Sequence, residues 1–170
     1  NDYVLTSDGT DLAWEAAGGV SALDGLTDAK SGGANFTSSI IIGHQTTGTL
    51  SSANYNTAVG YNAMDAITQG DENVAIGYNA GTALTTGVSN ALVGSGAGGG
   101  LVTSGNCVAV GQDALRHGTG GNNTMVGGAA GANASNSAAD NTGIGYHALY
   151  ATTTASYNTA IGTSALASTG

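Results

Sequence analysis

Apolar residues in this chain keep time with a recurring glycine. The phrase NTAVGYNA at 56–63 returns as NVAIGYNA from Asn73, NALVGSGA from Asn90, CVAVGQDA from Cys107, NTMVGGA from Asn123, NTGIGYHA from Asn141 and NTAIGTSA from Asn158. A degraded first copy, SIIIGHQT, begins at Ser39. The glycines fall at Gly43, Gly60, Gly77, Gly94, Gly111, Gly127, Gly145 and Gly162, at intervals of 17, 17, 17, 17, 16, 18 and 17. A slip of one residue that the next interval reverses implies a period set by geometry. Such a fixed short period is the mark of a solenoid, whose repeats bury their apolar faces only by stacking on one another.

The residue before each glycine is Ile or Val, and the residue three before it is mostly β-branched, as at Thr57, Val74, Val108, Thr124, Thr142 and Thr159. Side chains alternate along a strand, so these two positions share a face, and the pattern marks that face as the buried one. The residue between them, such as Ala58, Ala75 or Ala160, then lies on the opposite face, where a neighbouring chain would pack closely. Ala follows three places after the glycine in seven copies, from Ala63 to Ala165, and each copy then relaxes into Thr, Ser, Asn, Asp and Gly.

The expected fold is all-β: a parallel β-roll of about eight 17-residue coils over residues 39–170. Each coil flattens into two strands of about five residues around a thin apolar layer. Coils stack at about 4.8 Å with equivalent residues in register, so the opening Asn residues form a ladder of amides. The glycine supplies a backbone shape or a close approach that a Cβ would forbid.

Residues 1–38 read as a separate cap or connector. Val4 to Thr6 and Leu12 to Trp14 have strand character around the turn residues Ser7 to Gly9. Trp14, the single tryptophan, is expected to anchor a cap or a contact between chains. Val20 to Lys30, with Ser21 as N-cap and Leu23 and Leu26 one turn apart, predicts a short helix or helical turn, and Ser31 to Asn35 a joint.

Composition changes the picture in two ways. Charged residues make up only 8%, so amides and hydroxyls carry solubility, and the phasing of the apolar positions argues against the disorder that such a composition otherwise suits. With a net charge of −9 and only Lys30 and Arg116 as cations, nucleic acid and anionic membrane surfaces are disfavoured as partners. No stretch reads as a bilayer span or a secretion leader, and the chain begins and ends within phrases, as part of something longer would. Each repeat also offers few and small apolar side chains, against an ordering cost of about 1.5 kcal/mol per residue. Extra burial must come from other chains, and a homotrimer is the simplest closed arrangement for a fibre.

Candidate chemistry is sparse. No catalytic, cofactor-binding or metal site is expected, because titratable groups do not converge. His44 and His147 belong to distant copies and are expected to be solvated, as is His117 beside Arg116. Asp71 and Glu72 read as a solvated turn. GSGAGGG at 94–100 lacks the Lys and Ser or Thr of a phosphate loop. Cys107 stands where other copies have Asn and reads as a small filler. An ice-binding face would need unbroken Thr ladders, but Val74, Ala91 and Val108 interrupt the column three before the glycine, which is expected to be internal. Receptor-binding residues stay unassigned, and the irregular stretches Ala97 to Asn106 and Ala132 to Asp140 are the candidates for surface contact.

Copies such as NVAIGYNA and NTAIGTSA resemble the head repeats of trimeric autotransporter adhesins, and more closely the related repeats of tailed-phage tail fibres. The opening YVLTSDGTDLAWEAAGG is also similar to a stretch recurrent in phage fibre proteins. The resemblance covers about residues 39–170 and implies a left-handed roll, three chains wound about one axis, and a place in a virion fibre that projects or presents a surface to a host glycan or protein. Other fibre or virion proteins would then be partners, with no insertion into membranes. The adhesin head of a bacterial surface and a purely structural spacer are the alternatives. Adhesin heads typically have shorter repeats, and the basic neck, coiled-coil stalk and membrane anchor of adhesins are not seen in this sequence.

Overall fold

The computed structural model describes residues 3–7, 12–16, 29–31, 34–44, 47–133, 137–151 and 155–168. Strands β1 (Tyr3–Ser7) and β2 (Leu12–Ala16) form the expected antiparallel hairpin, with Leu5 opposite Trp14. The roles expected of the Trp14 side chain lie outside the described residues. So does most of the expected helix, although Ala29 and Lys30, read as its end, instead lie in strand β3 (Ala29–Ser31). That strand runs antiparallel to β4 (Ile40–Ile42) and closes one end of the repeat sheet.

From β4 the chain winds as a solenoid. Strands β5 (Thr57–Val59), β6 (Val74–Ile76), β7 (Ala91–Val93), β8 (Val108–Val110), β9 (Thr124–Val126), β10 (Thr142–Ile144) and β11 (Thr159–Ile161) follow, one per coil. They pair in chain order, parallel and in register, with Thr57 beside Val74 and Val108 beside Thr124. Thr124 in turn pairs with Thr142, so the 16- and 18-residue intervals leave the strands aligned, and the turns absorb the slip.

Two strands of about five residues per coil were expected. The structure has one strand of three residues per coil, and turns make up the rest. Those turns are sharp because, from the second copy onward, three places in each coil take a left-handed backbone. Five residues before the glycine stand Tyr55, Glu72, Ser89 and Asn106, with φ of 57–61°. Two after it come Asn62, Asn79, Asp113 and His147 at 53–56°, and four after it Met64, Leu115 and Leu149 at 53–55°. Asn and Asp tolerate this region, and β-branched residues do not. That is why the last of these positions holds only Leu, Met or Gly from the second copy onward, while the first copy has Thr47 there, outside the left-handed region.

The phrase glycine serves both purposes expected of it. Gly60 and Gly77 have φ of 135°, and a Cβ on Gly60 would lie 2.6 Å from the carbonyl oxygen of Gly77 in the next coil. Column on column, glycine backbones are in contact, and a side chain there would push two coils apart.

The buried face is the reverse of the expected one. The middle residue of each strand points inward: Ile41, Ala58, Ala75, Leu92 and Ala109 are fully buried. The Ile or Val before the glycine faces out, with Ile42, Ile76 and Ile144 about 40% exposed. The alternation argument was sound, but it assigned the larger apolar residues to the core. The core side of the strand is filled instead by the middle residue together with the turn residues Met64, Ile67, Leu84, Leu101, Leu115 and Leu149, so a small middle residue is enough in many coils.

Core volume is balanced between strand and turn in several coils, and from the neighbouring coil where Ala75 and Gly81 are both small, since a Cβ on Gly81 would lie 2.8 Å from a Leu92 methyl. Where the strand contributes Leu92, the residue four after the glycine is Gly98, whose Cβ would sit 2.6 Å from a Leu92 methyl. Where the strand contributes Ala109 or Gly143, that residue is Leu115 or Leu149. Met125 and Gly131 repeat the first arrangement. We expect Leu92→Ala to cost about 2–5 kcal/mol in chemical denaturation. Gly98→Leu alone should overpack, and the pair together should recover part of the loss, because Leu at this position is already accommodated at Leu115 and Leu149. Additive losses in the double variant would contradict this account of the core.

Candidate functional site

One wall of the coil interior is a line of buried amides. Asn56, Asn73, Asn90, Asn123 and Asn141 are almost fully buried. The Asn56 Oδ1 accepts hydrogen bonds from the backbone N–H of Asn73 at 2.9 Å and from its side-chain amide at 3.1 Å. Asn73 does the same for Asn90, and Asn141 for Asn158. Asn56, Asn73, Asn90 and Asn123 also donate across the coil, as Asn73 does to the carbonyl of Gly87 at 2.9 Å. The ladder starts at Ser39, whose hydroxyl accepts from the Asn56 N–H at 2.8 Å. These residues are structural: buried polar groups in low dielectric are stabilising only when fully paired, and here they are.

Cys107 interrupts the ladder. Its N–H still donates to Asn90 at 3.0 Å, while its thiol lies 3.5 Å from the carbonyls of Gly105 and Gly120. Burial pushes the thiol pKa above its ordinary 9.0, against the opposing pull of nearby backbone hydrogen bonds. A buried, protonated thiol is a poor nucleophile.

The histidines divide. His44 was expected to be solvated but is buried, with its Nε2 2.8 Å from the carbonyl oxygen of Ala63 in the next coil. His117 is exposed. His147 lies in a ring stack, its centroid 4.0 Å from that of Tyr146 and 4.4 Å from that of Tyr150. Asp71 and Glu72 tie coils together, accepting from the Asn54 N–H at 2.7 Å and from the Ser89 hydroxyl at 2.9 Å. Among the described residues no three His, Cys, Asp or Glu side chains gather as a metal site, and no helix is long and apolar enough to cross a membrane.

Two surfaces stand out. The first is the outer strand face, an apolar strip of Ile42, Val59, Ile76, Val93, Val110, Val126, Ile144 and Ile161 flanked by the column three before the glycine. That second column was expected to be internal and faces out. Its Thr residues remain interrupted by Val74, Ala91 and Val108. The strip is about 38 Å long and roughly 10 Å wide, close to the few hundred Å² that monomeric proteins seldom exceed.

The second surface lies past the glycines, where side-chain height changes from coil to coil. The residue after the glycine is Tyr61 and Tyr78, then Ser95, Gln112 and Gly128, then Tyr146. Tyr61 and Tyr78 stack at 5.9 Å with their planes 8° apart. Between the tyrosines lie two adjoining notches, of about 390 Å³ and 350 Å³. Gly96, Gly99 and Gly100 floor one, and Gly128, Ala129 and Ala132 floor the other. The ridge between them carries Gln112, Asp113, Arg116 and His117, with Arg116 3.4 Å from Asp113. Both irregular stretches singled out in the sequence contribute, through Gly99 and Gly100 and through Ala132 and Asn133. Reading the column after the glycine by size would have located this surface.

Searches of protein-family profiles, of curated proteins and of solved structures found no match to this chain.

Restoring the missing amide should stabilise the fold: Cys107→Asn is expected to gain about 0.5–1.5 kcal/mol for each hydrogen bond formed. The variant should also be less sensitive to alkali. A thiol held protonated in the fold contributes stability that is fully present below its unfolded value near 9.0 and declines as pH rises past it. Denaturation of both proteins at neutral and alkaline pH checks this, and equal pH dependence would count against it.

Proposed function

We propose that this chain is a segment of a homotrimeric attachment fibre of a virion, with the outer Ile and Val strip of each copy forming the shared core. The observation that carries the reading is that strip. Beyond the Leu, Met and Ile residues that its interior buries, the solenoid carries a second, exposed column of Ile and Val that recurs at every coil from Ile42 to Ile161. Burying about 25 cal/mol per Å² of apolar surface there supplies what the thin interior lacks. The resemblance of the phrases to phage tail-fibre and adhesin-head repeats supports three chains rather than two. Three narrow strips close into a triangular core with no sheet face left over. Regular coils then supply length and stiffness, and the irregular turns supply surface for recognition.

Sedimentation equilibrium should give three times the 16.3 kDa chain mass. Val93→Lys with Val110→Lys should shift the protein toward monomers, because each places a charge in the shared core. A folded, stable wild-type monomer would contradict the proposal. Gold-labelled antibody against the coils should decorate the fibres of virions, whereas label confined to bacterial surfaces would assign an adhesin head.

A further inference from the structure

We infer that the paired notches between Tyr78 and Tyr146 are a binding site for an uncharged oligosaccharide, which lies across the ridge with one ring in each notch. The inference rests on the attachment reading and names what the fibre recognises.

The geometry comes from the coil spacing. Each notch is one coil wide, and its two walls lie two coils apart, about 9.6 Å. That gap admits a flat ring seated edge-on and excludes a helix. The notches are themselves two coils apart, so one short chain of rings reaches both, and a single ring does not. Volumes of about 350 Å³ and 390 Å³ fall within the range of small-ligand sites.

The chemistry of the walls points to sugar. A pyranose has an apolar face of C–H groups and a rim of hydroxyls. The outer walls are aromatic: Tyr78, backed by Tyr61, on one side and Tyr146 with Tyr150 on the other. A ring face with negative quadrupole favours C–H groups laid against it. The ridge meets the rim, since Gln112 and Arg116 offer planar groups that bond hydroxyls.

Other ligand classes fit less well. Arg116 is paired with Asp113, and the net charge is −9, which disfavours phosphate or another anion. An extended peptide that adds a strand needs free backbone groups. Those along the notches are bonded from coil to coil, as Asp113 N–H is to Ser95 and His147 N–H is to Gly128.

The test is an array of uncharged gluco-, galacto-, manno- and N-acetylglucosamine-based oligosaccharides probed with the assembled protein, followed by calorimetry on the best binder. Tyr150→Ala and Tyr78→Ala should each weaken binding by roughly tenfold. Gly128→Tyr should abolish it, because that change extends the tyrosine column into the notch, where a Cβ meets only the Tyr146 ring at 3.4 Å. Tyr55→Ala, on an exposed residue outside the notches, should have no effect. Matching thermal midpoints confirm that the variants fold, and the alanine variants decide the matter if Gly128→Tyr does not. Binding that survives the notch variants, or an array with no binder, overturns the inference. A trimer that binds no sugar leaves the fibre reading standing. A monomer that binds sugar through the notches overturns the fibre and leaves the site.

Discussion

Coil-to-coil hydrogen bonding of the backbone is the constraint on which the rest of this structure depends. It is not confined to the three-residue strands. Met64 N–H donates to Ala80 and Gly81 N–H to Ala97 one coil onward, while Asn79 N–H donates to Tyr61 and Glu72 N–H to Asn54 one coil back. Because strands and turns alike bond in both directions, each residue must stand above its equivalent. The glycine contacts and the amide ladder follow from that stacking, and so does the one-residue slip that is reversed a coil later.

Much of this was legible from the sequence. The period was fixed by the glycines, the amide ladder by the opening Asn, and the need for glycine by its invariance across the eight copies. What was misread was the side on which Ile and Val lie. Alternation places Val59 and Thr57 together but leaves open which face is inside, and the larger apolar residue is the usual choice. The deciding signal was elsewhere in several coils: Gly98 accompanies Leu92, and Leu115 accompanies Ala109. Compensation of that kind occurs only between residues that share a core. His44 was misread because nothing in its neighbourhood along the chain predicts the Ala63 carbonyl that it meets a coil away.

The inversion has a consequence for assembly. Each coil buries its Leu and Met and leaves its Ile and Val column exposed, and under the fibre proposal that regular outer strip is what other chains cover. The same repetition leaves recognition to the positions that vary. In the column after the glycine, the fall from Tyr78 to Ser95 and the rise again at Tyr146 make relief on an otherwise uniform shaft. Scaffold and relief are separable, since side chains in the turns change without disturbing the backbone bonds beneath them.

In the proposed trimer, Val93 and its equivalents face other chains while Leu92 and its equivalents face their own. Isotope-filtered methyl spectroscopy on an assembly of labelled and unlabelled chains measures this directly. Cross-peaks between chains should arise from Ile76, Val93 and Val110 and be absent for Leu92, Leu101 and Met125. Contacts between chains at Leu92, or contacts of Val93 confined to its own core, would contradict the account.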